Sequence, residues 1–164
     1  EQLDLYLASK NIGSLWFGIG KTEEKSYNGM DFVIMIAIAK VGETKFRKNM
    51  YKSKRKTEEE IWTGDKIKNV TEVVRFAPSA CNTQPWIAEN TNGYIEVFRY
   101  KKPGKRGIMP ADKVNYYNRI DIGIFLCFMD LCLNHENIEF EREIFADNND
   151  NEKEKTLTAK YKFI

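Results

Sequence analysis

Arg75-Phe76-Ala77-Pro78-Ser79-Ala80-Cys81-Asn82-Thr83-Gln84-Pro85-Trp86 decides how the rest of the chain is read. Ahead of it, Val70, Val73, Val74 and Phe76 sit at helical spacing. That helix must end near Ala77, because the residue before a proline is pushed out of the α region. Small and polar residues follow, then a second proline and a tryptophan. Beyond Pro85 the pattern changes. Trp86-Ile87-Ala88 and Tyr94-Ile95-Glu96-Val97-Phe98 flank Asn90-Thr91-Asn92-Gly93, and Asn-Gly between apolar runs is the strongest short-range hairpin signal. The stretch is therefore a polar turn between a helix and a β-hairpin.

Upstream, Thr57 and Glu60 fit a capping box, and Glu58-Glu59-Glu60 suits a first helical turn. The helix they open carries Ile61, Ile67 and the valines, with Gly64 as a point of interruption. Before it, residues 45–56 hold seven cations: Lys45, Arg47, Lys48, Lys52, Lys54, Arg55 and Lys56. Further back, residues 32–41 (FVIMIAIAKV) are almost wholly apolar and read as a strand buried on both faces. Residues 21–29 read as a loop, and residues 12–20 as a glycine-rich turn with bulky apolar partners. Leu3, Leu5, Tyr6 and Leu7 form the end of a helix stopped at Asn11-Ile12-Gly13.

Downstream, residues 101–118 are loop-like. Residues 119–134 suit a buried helix, 138–145 a strand, 147–155 a charged turn and 157–163 a half-buried strand. The fold class is α+β, with about three helices and five strands.

Composition narrows the function classes. The chain has 164 residues, 42% hydrophobic and 30% charged, which excludes disordered and collagen-like chains. No run of about 18 apolar residues exists, so no membrane partner is expected. The net charge of +2 speaks against a general polyanion binder. Cys81, Cys127 and Cys132 are too few and too oddly placed for a disulfide framework, and with the single His135 they show none of the paired spacings of a structural zinc site. A reducing cytoplasm is the expected location.

Ser79, Asn82, Thr83 and Gln84 offer hydroxyls and amides that both donate and accept. On composition alone they make either a capped loop or a loop for a ligand with mixed donors and acceptors, such as a flavin pyrimidine edge. Residues 77–86 (APSACNTQPW) resemble the A-P-S-x-x-N-x-Q-P-W signature of the FMN-dependent nitroreductase family. Residues 11–18 (NIGSLWFG) resemble its G-L-G-[ST]-x-W-x-G segment, with Asn11 in place of the first glycine. Lys54-Arg55-Lys56 resembles its phosphate-contacting basic pair, or a degraded R-x-S-x-R motif together with Ser53. Ile120-Asp121-Ile122-Gly123 resembles the I-D-x-G of its long helix.

The glycine segment precedes the loop here, an order that resembles the fused subfamily, in which one chain mimics the usual homodimer. The resemblance implies a nitroreductase-like fold: a mixed or antiparallel sheet flanked by helices, with a long central helix. Residues 1–56 would close a first unit whose front is missing, and 57–164 would form a second. Implied flavin contacts are Gly13, Ser14, Lys54, Arg55, Lys56, Pro78, Ser79, Asn82 and Gln84. The implied cofactors are FMN and, as electron donor, NAD(P)H. The implied partner is a nitroaromatic or quinone-like electron acceptor, with no nucleic acid, and the chain would be a monomeric pseudo-dimer or a homodimer. No side-chain acid or base is implied. The alternative is a non-catalytic flavin-binding or interaction module, a degenerate relic of the fold. A nucleic-acid-binding reading of residues 45–56 is the weakest. Tyr116-Tyr117 would line a pocket or pack.

Overall fold

In the computed structural model, which describes residues 1–18, 20–46, 48–100, 107–146 and 154–164, the first helix stops as expected. This is α1 (Gln2–Ser9), and Asn11 turns the chain out of it at φ 55°. The expected loop over 101–106 and turn over 147–153 lie outside the described residues, as do Ile19 and Arg47. Contacts divide the chain into two units, Glu1–Lys52 and Ser53–Ile164.

In the first unit, β1 (Ile12–Phe17), β2 (Ser26–Tyr27), β3 (Met30–Asp31) and β4 (Met35–Lys40) follow α1. β1 and β4 form an antiparallel pair, with Ile12 opposite Lys40 and Phe17 opposite Met35. Two expectations are corrected here. The segment read as a turn is a strand through Phe17, because Ile12, Leu15, Trp16 and Phe17 suit a pleated surface and have an apolar strand to pair with. β4 is a strand, yet it is not buried on both faces. It pairs with β1 alone among the described residues, and Ile38 is 60% exposed. The loop over 21–29 contains a miniature hairpin, β2–β3. Asn28 and Gly29 turn it at φ 51° and 76°, the two left-handed positions that such a turn requires.

The second unit begins its regular structure at α2 (Glu58–Ile61), then β5 (Trp62–Gly64) and α3 (Val70–Val74). The Thr57 N–H donates to Glu60 Oε2 at 2.7 Å, and the capping box read from the sequence is present. The helix expected over 57–77, with Gly64 as a point of interruption, is two short helices with β5 between them. Gly64 sits at φ 80°, and a Cβ there would lie 1.9 Å from the Asn90 carbonyl oxygen. The chain leaves the helix to lay three residues beside the next strand, an approach that only glycine allows.

β6 (Trp86–Thr91) and β7 (Tyr94–Tyr100) form the hairpin, turned by Asn92 and Gly93 at φ 53° and 80°. α4 (Val114–His135), β8 (Phe140–Ile144) and β9 (Lys155–Phe163) complete the unit. The sheet order is β5-β6-β7-β9-β8. β5 runs parallel to β6 and the other pairs are antiparallel. Trp86, Ala88 and Asn90 of β6 and Ile95, Val97 and Arg99 of β7 point inward, alternating with half-exposed neighbours. The long helix meets this sheet through Phe125, whose ring stacks on Trp86 at 4.9 Å between centroids. Tyr161 of β9 donates to Asp130 of α4 at 2.8 Å. The fold is α+β, a mixed sheet with a long central helix.

Phe125 is fully buried against Trp86. Phe125→Ala is expected to cost about 3–5 kcal/mol. The urea midpoint of the full chain measures it, and a loss below about 1 kcal/mol would show that this stack does not join helix to sheet.

Candidate functional site

The loop between α3 and β6 is built from an unfavourable backbone. Cys81, Asn82 and Gln84 have φ of 49°, 57° and 49°. Left-handed geometry costs a non-glycine residue on the order of 1–3 kcal/mol. The surrounding bonds must hold it, and they come from two sides.

One side is α4. The Ala80 N–H donates to Asp121 Oδ1 at 2.8 Å. The Thr83 hydroxyl lies 3.3 Å from Asp121 Oδ2 and 3.1 Å from Asn118 Oδ1, and its single proton serves one of them at a time. The other side is the basic segment. The Lys56 N–H donates to Gln84 Oε1 at 2.7 Å, and its ammonium to the Gln84 carbonyl at 3.0 Å. Arg55 donates to Asn82 Oδ1 at 2.7 Å, and Asn82 Nδ2 donates to the Lys54 carbonyl at 2.9 Å. Within the loop, the Gln84 N–H donates to Ser79 Oγ at 2.9 Å.

Lys54, Arg55, Lys56, Pro78, Ser79, Asn82 and Gln84 thus gather in the second unit, around one loop. Lys54 and Asn82 are exposed, while Ser79 and Pro78 are half-buried just ahead of the left-handed residues. Gln84 is buried with both ends of its amide engaged by the chain. It braces the loop from inside. Asn82 keeps one N–H and one carbonyl lone pair for a further partner. Gly13 and Ser14 lie in the first unit, on β1. A Cβ on Gly13 would come 3.1 Å from Val41 Cγ2, and the Ser14 hydroxyl donates to the Asp4 carboxylate.

Electrostatics single out one group. Asp121 is 2% exposed, and burial pushes its carboxyl up to about 7, although its bonds from Ala80 and Thr83 pull the other way. Burial likewise lowers the Lys56 ammonium, against the attraction of Glu60. Sequence reasoning did not single out Asp121, Asn118 or Thr83 as a unit. A usable signal was present: Asn118 and Asp121 stand three residues apart on one helix, so they share a face.

Elsewhere, Tyr116 and Tyr117 pack edge to face at 5.3 Å. His135 is exposed at the end of α4. Cys81 is exposed, Cys127 and Cys132 are half-buried, and none of the three forms a disulfide. Among the described residues there is no cluster suited to a metal ion, and no helix long and apolar enough to cross a membrane.

A family model described as "Putative TM nitroreductase" matches residues 1–133. A crystal structure from Thermotoga maritima, described as "a putative nitroreductase", is similar at 18% sequence identity and a TM-score of 0.62. The similarity covers 99% of this chain and 60% of that one, so the chain spans about three-fifths of the solved protein's length. At that identity the likeness is one of fold. No curated protein matches the chain.

Asp121 makes a signed prediction about stability. Its carboxyl ionises near 3.8 when unfolded and near 7 when folded, so the fold binds the extra proton between these values. Stability from this group is intact below the lower value and lost as pH rises through the upper one. Asp121→Asn keeps an acceptor for Ala80 and removes the buried charge. The variant is expected to gain on the parent as pH rises from about 4 to 8, in paired melting curves. A constant difference across that range would refute the assignment.

Proposed function

The chain belongs to the nitroreductase family whose model it matches, and on that premise we propose that it is an oxidoreductase that binds FMN at the loop over residues 78–84. It takes a hydride from NAD(P)H and passes it to a small acceptor of the nitroaromatic or quinone type. The observation that carries the reading is the basic segment hydrogen-bonded to the polar loop.

The donor set suits this ligand. FMN presents a dianionic phosphate and a pyrimidine edge with alternating donors and acceptors. Lys54 is an exposed cation beside Asn82, and its ammonium offers three donors to a phosphate. Arg55 and Lys56 add positive charge while holding the loop in place. The spare N–H and lone pair of Asn82 match an amide-like edge, and the half-buried Ser79 hydroxyl adds a donor. Gln84 acts on the ligand through the loop that it braces.

When bound, FMN supplies the ring that accepts and releases the hydride. The chain's share is orientation, charge balance and exclusion of water. The location that goes with this reading is a reducing cytoplasm, where thiols stay reduced.

One observation favours a second reading. Arg55 and Asn82 already engage each other, and both ends of Gln84 are satisfied within the chain. A non-catalytic flavin-holding or interaction module would have the same geometry. Oxidation of NAD(P)H with a nitroaromatic or quinone acceptor separates the two.

The purified chain is expected to be yellow with FMN, one flavin per site. Asn82→Ala should weaken FMN binding by about tenfold, the worth of one or two hydrogen bonds. Lys54→Glu should weaken FMN but leave riboflavin, which lacks the phosphate, little changed. Fluorescence titration with both flavins reads these effects. A colourless protein with no shift in melting temperature on FMN addition would overturn the proposal.

A further inference from the structure

We propose that Asp121 is a positioning residue whose ionisation sets how tightly the loop over 79–84 is held, and through the loop how tightly FMN is held. The second half rests on the flavin reading above; the first stands on the geometry alone.

The carboxylate reaches both flanks of the left-handed stretch. Oδ1 takes the N–H of Ala80, which immediately precedes Cys81 at φ 49°. Oδ2 faces the hydroxyl of Thr83, which stands between Asn82 at φ 57° and Gln84 at φ 49°. One buried side chain therefore fixes the backbone on either side of the residue expected to meet the ligand.

The network changes with a proton. Ionised, Asp121 only accepts, and hydrogen bonds to a charged acceptor are shorter and about twice as strong. Asn118 Nδ2 is fully buried without a partner. A half-turn of that amide brings its NH₂ to Thr83 Oγ1 and commits the Thr83 proton to Asp121. Asn118, Thr83 and Asp121 then form one directed chain. Protonated, Oδ2 becomes a donor to Thr83 Oγ1, and Thr83 gives its proton to Asn118 Oδ1. Each state satisfies Asp121 and Thr83, and the proton is exchanged with solvent. Only the ionised state holds Ala80 and Thr83 as acceptor to both.

The groups that act on Asp121 are the Ala80 N–H and the Thr83 hydroxyl, both from the loop, and no charged side chain is among the causes of its shift. Those two bonds draw its ionisation downward while burial drives it up to about 7. Coupling is reciprocal. A ligand that orders the loop must therefore favour the ionised carboxyl and release a proton.

The test follows the Ala80 amide by NMR in the full chain between about pH 5 and 9, without and with FMN. Its proton shift is expected to titrate near neutral pH, and to lie flat in Asp121→Asn. FMN is expected to bind about threefold to tenfold more weakly at pH 6 than at pH 8 in the parent, over and above the change in the variant, which reports the flavin phosphate alone. An Ala80 shift that does not titrate in the parent overturns the proposal whatever FMN does, and needs no variant to fold. A titrating Ala80 with the same pH dependence of FMN affinity in parent and variant overturns the link to binding. A titrating Ala80 with no FMN binding at any pH supports the clamp and overturns the flavin reading instead.

Discussion

The ring of Trp86 lies on that of Phe125 at 4.9 Å between centroids, with 20° between their planes. This contact ties the first strand of the hairpin to the middle of the long helix. Four residues earlier on that helix stands Asp121, one turn away. The loop over 79–84 enters Trp86 directly through Pro85. Its end and its main anchor are thus set by the same length of α4. Asp121 can meet Ala80 at 2.8 Å because the helix and the strand are already fixed relative to each other. Removing the aromatic contact would leave the hydrogen bonds in the chain but not in register.

The balance of energies around the loop is close. Three left-handed residues cost on the order of a few kcal/mol together. A typical net hydrogen bond returns about 0.5–1.5 kcal/mol, and bonds to charged groups somewhat more. The bonds from Asp121, Lys56, Arg55 and Ser79 are enough in number to offset that strain. The buried carboxylate is a cost in itself. Burial outweighs its hydrogen bonds, which is why its ionisation moves up and not down. The arrangement sacrifices some stability near neutral pH to keep a strong acceptor under the loop.

What was legible in the sequence follows the range of the forces involved. The capping box at Thr57 and Glu60, the Asn92-Gly93 turn and the apolar run of α4 are local, and each stands where its residues placed it. Gly64 stands out in the sequence as a point of interruption, but the cause of the break is non-local. It depends on Asn90, far along the chain, occupying the space a Cβ would need. The same limit applies to β4: its apolar residues announce a strand, but burial depends on how many strands pair with it, and β1 alone does so among the described residues. In the candidate site, residue types suggested a ligand loop, and the resemblance supplied the ligand. The bonds that shape the loop span 28 residues to the basic segment and 41 to Asp121, and no local pattern encodes them.

This wiring bears on how a ligand would be received. A loop whose amides are already satisfied loses little further entropy when something binds, so affinity need not be spent on ordering it. The same satisfaction limits what the loop can offer. Gln84 has no exposed amide to give, and Arg55 must share its guanidinium with Asn82. On the proposed reading, an incoming ligand would add bonds at the spare valences of Asn82 and at the exposed Lys54, and would not replace those within the chain. On the proposed reading, recognition of an anionic group through Lys54 and of an amide edge through Asn82 would fall on one segment, because Asn82 Nδ2 rests on the backbone carbonyl of Lys54. The segment that carries the cation is thereby the segment whose backbone orients the amide, and a change of the Lys54 side chain leaves that carbonyl in place.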